Sequence, residues 1–396
     1  MKKILAIFAL GLTVIILSCS KTELINNQFK TINLNSQLNQ SNKSNFYNSI
    51  TISDVNTFED MLHFKDFKAY RKALEDLENF QNADIIAFNQ LYLVNTLEEI
   101  ALMSEVEQDD LSQQLEDIES SIGFSETGIY EQFENQLNFT SLRRVIEQEE
   151  AIFLNNSNPN WELDPDNHFI LFDEDRTLFN PFSEIKIGTS IYKITEDFIY
   201  EITDGNYTTL LALRNNGYST EMNNVKKTDN DNSEGSVEDN TSTNGNNGTS
   251  GNSGTSGSNG TNNPTAGNQN STSSSCKQTR HKWNYKNNSN DTKRIKWKVA
   301  INSWWDNKIY AETTNYKKKN NGTWIKYKAT AKSDVYGELC DSPQTVLTTS
   351  TLSITQDFKK KVKDSYTVVN KHVDNGKLKG YHYGAGGITY TSTLTW

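Results

Sequence analysis

The stretch RIKWKVAI, residues 294 to 301, decides how the C-terminal part of the chain folds. Large apolar side chains alternate in it with lysine or alanine. The apolar set is Ile295, Trp297, Val299 and Ile301, and the intervening set is Lys296, Lys298 and Ala300. Because successive side chains of a strand point to opposite faces, this alternation predicts a strand with one face toward a core and one polar face.

Similar patterns continue through residues 276 to 396. Asn321 and Gly322, between Tyr316 and Trp324, suit a tight hairpin turn, and residues 388 to 396 alternate between mostly apolar side chains and threonine. The glycine-rich stretch YHYGAGG, residues 381 to 387, is interpreted as a bend between strands, with a ligand-contacting loop as the alternative. We expect an all-β, sandwich-like domain of about 120 residues here.

An acidic unit is predicted over residues 51 to 222. The pattern is helical from Thr57 to Leu154, and Gly123 and Thr140 are expected to end and to begin helices. Two sets of apolar residues carry the helical spacing: Phe67, Tyr70, Leu74 and Leu77, and then Leu111, Leu115, Ile118 and Ile122. Short strands about Gly188 and over residues 198 to 202 follow, so this unit is an α+β arrangement of a helical bundle and then a small antiparallel sheet.

A linker is predicted over residues 223 to 275. Of the 35 positions from 241 to 275, 32 are Gly, Ser, Asn or Thr, which cannot form a core. The units on either side differ in charge, because residues 276 to 396 carry a net +13 and residues 1 to 275 carry −24. This contrast predicts a multidomain protein with two separate units, an acidic one and a basic one. The Glu and Asp side chains of the predicted helices are interpreted as a face exposed to solvent.

The first residues of the sequence resemble an export signal. Lys2 and Lys3 precede an apolar run from Ile4 to Leu17, which is shorter than the approximately 20 residues of a membrane-spanning helix. The segment Ile16-Leu17-Ser18-Cys19 resembles the lipobox of bacterial lipoproteins, which implies a signal peptide over residues 1 to 18 and lipid attachment at Cys19. The residues that follow, to residue 50, are rich in Asn, Ser and Gln, which predicts a polar tether. An ordinary signal peptide and a retained membrane span are the alternatives.

The other two cysteines, Cys276 and Cys340, are expected to form a disulfide in an exported protein, with two buried free thiols as the alternative. No motif of a zinc protease, a serine hydrolase, a phosphate-binding loop or an EF-hand is present, so we expect no catalytic residue, no metal site and no cofactor. An acidic cluster at residues 162 to 175 has no recognisable calcium-loop spacing.

Aromatic and basic residues are concentrated in the basic unit, which holds six of the seven tryptophans. Aromatic faces suit sugar rings, and lysines beside them suit anionic polymers. The candidate ligand contacts are Trp304, Trp305, Lys317, Lys318, Lys319 and Trp324. The alternative is that the tryptophans belong to the core, as the alternation predicts for Trp297.

The segments FTSLRRVIEQEE, from residue 139, and LFNPFSEIKIGTSIYKIT, from residue 178, resemble uncharacterised lipoproteins of the Bacteroidota over roughly residues 55 to 205. One departure is Pro181-Phe182-Ser183, where a glycine turn is expected. The resemblance implies an envelope location, at the outer membrane and with surface exposure as a further expectation, and it implies no activity.

These patterns predict a lipid-anchored, non-enzymatic envelope protein whose basic unit binds a glycan or an anionic surface. A glycan hydrolase that uses carboxylates of the acidic unit is one alternative. A structural assembly protein, in which the basic unit docks on its own acidic unit or on a neighbour, is the other.

Lipidation is testable by substitution. Cys19→Ser removes the thiol that would carry the lipid, so the protein should stay unprocessed and leave the membrane fraction. Cell fractionation with mass determination of the mature chain measures both effects. A processed, membrane-bound Cys19→Ser protein would contradict the prediction.

Overall fold

The computed structural model describes residues 46–47, 52–217, 222–229, 280–302, 308–336, 338–339, 342–346, 357–367 and 378–394. Helices and several sheets, mostly antiparallel, build it, so the chain is a mixed α and β protein with strands at its C-terminal side. The signal peptide, residues 230 to 279 and the predicted tether apart from Phe46 and Tyr47 lie outside the described residues. Phe46 is buried and packs with Phe88 and Phe124, so this end of the predicted polar tether belongs to the core of the acidic unit.

A six-stranded sheet organises the acidic unit in the order β1 to β6. Its strands are β1 (Val55–Phe58), β2 (Met61–Phe64), β3 (Glu184–Ile187), β4 (Ser190–Ile194), β5 (Phe198–Ile202) and β6 (Val225–Asp229). Neighbouring strands are antiparallel except β2 and β3, which pair in parallel with His63 opposite Lys186.

Three expectations for this unit are corrected. The hairpin of β1 and β2 stands within the range predicted to be helical, because its strands are only four residues long and MLHF also fits an apolar helical run. The sheet contains one parallel pair, since the helices form the crossover from β2 to β3. Strand β6 lies inside the predicted linker, and it pairs along β5 from Val225 to Asp229.

The helices are α1 (Phe67–Tyr92), α2 (Leu97–Leu102), α3 (Glu105–Ile122), α4 (Gly128–Gln136), α5 (Leu142–Asn155), α6 (Asp173–Leu178) and α7 (Tyr207–Asn215). Their ends follow from local chemistry. Gly123 ends α3 at φ 69°, as expected for a left-handed cap. Ser141, and not Thr140, caps α5, because its hydroxyl accepts the Arg144 N–H at 3.1 Å.

The turn before β3 contains Pro181-Phe182-Ser183, and its hydrogen bonds explain why no glycine is needed where the resemblance predicts a glycine turn. Ser183 has a φ of 60°, the left-handed conformation that glycine adopts most easily. Its N–H donates to the Asn180 carbonyl at 2.9 Å, and the Asn180 side-chain oxygen accepts the N–H groups of Phe182 and Glu184 at 3.0 and 2.9 Å. The Asn180 amide therefore holds the turn that a glycine would otherwise permit.

Two sheets of the basic unit pack face to face. The first has the order β10-β9-β8-β7 with β15 also pairing β9, and the second has the order β14-β11-β16-β17. The strands of these two sheets are β7 (Arg280–Asn287), β8 (Lys293–Asn302), β9 (Lys308–Lys318), β10 (Trp324–Lys326), β11 (Ala329–Tyr336), β14 (Asp357–Lys359), β15 (Lys361–Thr367), β16 (Leu378–Gly384) and β17 (Ile388–Leu394). A separate short pair contains β12 (Glu338–Leu339) and β13 (Ser342–Val346).

The alternation of residues 294 to 301 sets the faces of β8. Trp297, Val299 and Ile301 pack in one core cluster with residues of both sheets, among them Val335 and Leu378. The tight turn at Gly322 and the bend between β16 and β17 also lie where the sequence predicts them. The face of β8 that the alternation predicts to be apolar is thus the face that packs in the core, for the strands that the structure describes.

A buried acidic pair gives this sandwich a testable pH dependence. Asp334 on β11 is 2 % exposed, and the neighbouring Asp364 carboxylate accepts the Val335 N–H at 3.0 Å. Burial, and then the charge of Asp364, raise the pKa of Asp334 from 3.8 to about 6. The folded state therefore holds this proton more tightly than the unfolded state, and its stability falls as the pH rises through that window.

We expect Asp334→Asn to raise the Tm at pH 8, where the wild-type carboxylate is ionised, and to leave it nearly unchanged at pH 4. Thermal denaturation followed by circular dichroism measures this. Asp110→Asn, at an exposed position of α3, is the matched control and should have little effect at either pH. An Asp334→Asn gain of equal size at both pH values would contradict the assignment.

Candidate functional site

The polar face of β8 is buried under the acidic unit. Lys296 and Lys298 each have side chains that are 1 % exposed, although the alternation is typical of a solvated face. The segment that covers them is residues 161 to 176, which begins with a short 3-10 helix (Trp161–Leu163) and ends in α6. Leu171 and Phe172 of this segment pack against Ala300 and Tyr310 of the sheet.

Local hydrogen bonds shape the covering segment. The Asp164 carboxylate accepts the Asp166 N–H at 2.9 Å, and His168 Nδ1 accepts the Ile170 N–H at 3.0 Å. Burial, and then the charge of Arg176, lower the pKa of His168 to about 3, so the ring is neutral at neutral pH and its Nδ1 can accept. Short-range bonds of this kind direct two aspartates toward the sheet.

Asp166 is the centre of the contact. Arg176 Nη1 donates to its carboxylate at 2.5 Å, and Lys296 Nζ donates to the other carboxylate oxygen at 2.8 Å and to Asp164 at 2.7 Å. Lys298 Nζ lies 3.8 Å from the same Asp166 oxygen. Burial alone would raise the pKa of Asp166, but Lys296, Lys298 and Arg176 hold it well below the usual range.

Ion pairs of this type extend across the whole contact. Among the described residues, nine lysines of the basic unit pair with carboxylates of the acidic unit: Lys293, Lys296, Lys298, Lys317, Lys326, Lys328, Lys360, Lys361 and Lys363. Lys328 Nζ, for example, lies 2.7 Å from Glu119, whose other oxygen accepts from Lys360 at 2.9 Å. Part of the helical acidic face is therefore buried, which corrects its interpretation as solvated.

An aromatic cluster closes one side of the contact. The Arg294 guanidinium lies between two indole rings, 4.1 Å from the Trp161 centroid and 4.2 Å from the Trp324 centroid. Tyr285 packs on Trp161 at 4.1 Å, and its hydroxyl donates to Asp164. Stacking of a guanidinium between aromatic faces is favourable when water is excluded, so Trp161, the one tryptophan that precedes the basic unit, joins the two units.

A cavity of about 350 Å³ lies between the units. Helices α1, α4, α5 and α6 line it on one side, and strands β9, β10, β14 and β15 line it on the other. Seven cations border it, and each pairs with a carboxylate: Arg143, Arg176, Lys326, Lys359, Lys360, Lys361 and Lys363. The cavity is thus polar and charged, unlike the mostly apolar pockets of typical small-molecule sites.

Two carboxylate oxygens that border this cavity have no hydrogen-bond donor among the described residues. Glu150 Oε2 accepts from Lys326 at 2.6 Å, but its Oε1 has no hydrogen-bond partner among the residues that the structure describes. Glu312 Oε2 lies 3.7 Å from Lys361 Nζ, and its Oε1 is likewise without a described partner. Burial, the larger influence, raises the pKa of Glu150, although Lys326 opposes it.

The structure separates the lysines proposed as ligand contacts. Lys317 is half-buried and lies 3.3 Å from Asp109 of the acidic unit. Lys318 donates to Asp291 of its own unit at 2.8 Å. Lys319 is exposed. The run of three lysines therefore does not form one free basic patch.

Trp324, the candidate aromatic contact, is 3 % exposed and packs in the cluster with Arg294 and Trp161. It is covered by the acidic unit and does not offer an open face in this arrangement. Five other predicted residues lie outside the described residues: Cys19, Cys276, Trp304, Trp305 and Cys340. The lipid attachment and the disulfide therefore stay predictions.

The acidic cluster at residues 162 to 175 pairs with protein cations. Asp164, Asp166 and Asp173 contact lysines of the basic unit, and Asp175 accepts the Tyr70 hydroxyl at 2.8 Å. Within the described ranges, no group of three or more His, Cys, Asp or Glu side chains could hold a metal ion. In the same part of the chain, no helix has the length and apolar character needed to cross a bilayer.

Comparisons with known proteins add little to this geometry. No protein-family model matches the chain, and no curated protein matches it. A crystal structure of a DUF4848 family protein from Bacteroides thetaiotaomicron is similar to it at 12 % identity, over 86 % of this chain and 100 % of that chain, with a TM-score of 0.17.

The contact at Asp166 is testable by substitution. Asp166→Asn leaves Arg176 and Lys296 buried beside a neutral amide, which should cost about 3–5 kcal/mol in the free energy of unfolding. Denaturant titration measures this cost, with Asp110→Asn as the control. A loss below about 1 kcal/mol, the range of exposed pairs, would show that the contact is solvated.

Proposed function

We propose that the protein is a lipid-anchored, non-enzymatic cell-envelope protein whose basic unit is the docking partner of its own acidic unit. The pairing of nine lysines with carboxylates across the two units carries this proposal. The anchor at Cys19 is part of the proposal on the strength of the lipobox alone. The protein then acts as one structural body at the membrane and not as a tethered, free receptor.

Charge compensation favours docking over capture of an external polyanion. A polyanion that bound the lysines of β8 and β15 would have to displace Asp164, Asp166 and Glu174, which are already desolvated beside them, and the half-buried Asp173. Separating such pairs leaves buried, unpaired charges on both sides. The free energy lost in this way exceeds the free energy that exposed ion pairs with a polyanion contribute. The lysines are therefore already neutralised.

The apolar contacts support the same proposal. Phe358 of β14 packs in a cluster with helical residues that include Phe88 and Leu115. Phe172 of the acidic unit packs on Tyr310 of β9, with ring centroids 4.5 Å apart. These contacts stabilise the docked units through the hydrophobic effect, which salt does not screen. Docking should therefore persist at physiological ionic strength.

A polyanion-binding assay tests this proposal on the full mature chain. Wild-type protein applied to dextran sulfate beads should elute at low salt, because its lysines are paired. In Glu119→Gln/Glu126→Gln, Lys328 loses both partners and Lys360 loses one, so this variant should elute at higher salt.

The control variant, Glu75→Gln/Glu149→Gln, removes the same two charges from exposed positions. It should elute with the wild type, apart from the small shift that the change in net charge produces. If both double variants shift equally, local pairing does not mask the lysines. If the wild type is retained above physiological salt, the lysines are free and the docking proposal fails.

A further inference from the structure

We propose that the cavity between the units is a binding site for a small organic cation that carries several hydrogen-bond donors, N–H alone or N–H with O–H, such as an aliphatic diamine or an amino sugar. This inference rests on the proposed docking, because residues of both units line the cavity. It adds a ligand class that the docking alone does not require.

The charges around the cavity favour a cation. Nine carboxylates border it, against seven cations: Glu78, Glu126, Glu147, Glu150, Asp166, Asp173, Glu174, Glu312 and Asp357. Every one of the seven cations already has a carboxylate partner in the described part of the chain. An anion would therefore meet only occupied donors, whereas a cation meets an excess of negative charge.

The two uncompensated oxygens indicate where the ligand donates. Glu150 is 6 % exposed and Glu312 is 3 % exposed, and Oε1 of each has no hydrogen-bond partner among the described residues. Buried acceptors almost always have a donor, and leaving a charged one without a donor is costly. An ammonium group presents three donors, and the hydroxyls of an amino sugar present more, so either ligand could satisfy both oxygens.

The shape of the cavity limits the ligand to a small one. Its volume of about 350 Å³ lies at the lower end of the range for small-molecule sites. Asn82, on α1, also lines the cavity but is exposed, so it marks the open edge. A larger side chain at this position should obstruct entry without changing the buried pairs.

Calorimetric titration of the full mature chain tests the proposal with three probes: 1,4-diaminobutane, glucosamine and neutral glucose. We expect the first, the second or both to bind, and glucose to bind at least about tenfold more weakly because it lacks the charge. Diaminobutane alone identifies a diamine site, and glucosamine alone identifies an amino-sugar site. Equal binding of glucose overturns the cationic class.

Glu312→Gln removes the charge of one carboxylate whose Oε1 has no described partner, and it nearly preserves the side-chain volume, so it should weaken binding by about tenfold or more. Glu149→Gln makes the same change at an exposed position beside Glu150 and should bind as the wild type does. Asn82→Trp keeps the buried charges and should abolish binding, which provides a test even if Glu312→Gln fails to fold.

The outcomes separate this inference from the docking proposal. Absence of binding by all three probes at about 10 mM, well above the affinity range of specific ligand sites, would mean that the cavity holds only water. In that case the dextran sulfate result could still support docking. Binding that survives both Glu312→Gln and Asn82→Trp would place the ligand elsewhere and also overturn the inference.

Discussion

The arrangement of the two units depends on one buried carboxylate, that of Asp166. It receives Arg176 from its own unit and Lys296 from the facing strand, and it is 2 % exposed. Without this carboxylate the two cations would remain desolvated with reduced compensation, a state that proteins rarely tolerate. The surfaces that meet at Asp166 are therefore complementary in charge, and exposing either of them to water would break buried ion pairs.

Charge pairs of this kind specify a register more than they add stability. In strand β8, a shift by one residue would place Trp297 where Lys296 now meets Asp164 and Asp166, and would turn the lysines into the apolar core of the sandwich. Apolar contacts such as that of Phe172 with Tyr310 are non-directional, whereas the ion pairs of Lys296 require charged partners at defined positions. The interface is thus held by apolar packing and aligned by charge.

Sequence patterns predict elements better than they predict contacts. The alternation of residues 294 to 301 predicts which face of β8 forms the sandwich core, and Gly123 marks the end of α3. The same alternation cannot distinguish a lysine in water from Lys296 beside Asp166, because both satisfy a period of two. The cavity was also beyond prediction, since Glu150 and Glu312 belong to different units and meet only through the docking. The contrast in net charge between the two units is the one feature of the sequence that indicates their docking.

The acidic unit comes first along the chain, and this bears on the order in which the two charged surfaces fold. Because it precedes the basic unit in the chain, its carboxylates are in place before the lysine-bearing strands emerge. Those strands then assemble on a surface that already carries the opposite charge, so the acidic unit is a template for its own partner. If the two units stood in the opposite order along the chain, the lysine face of β8 would form before the carboxylates that compensate its charge.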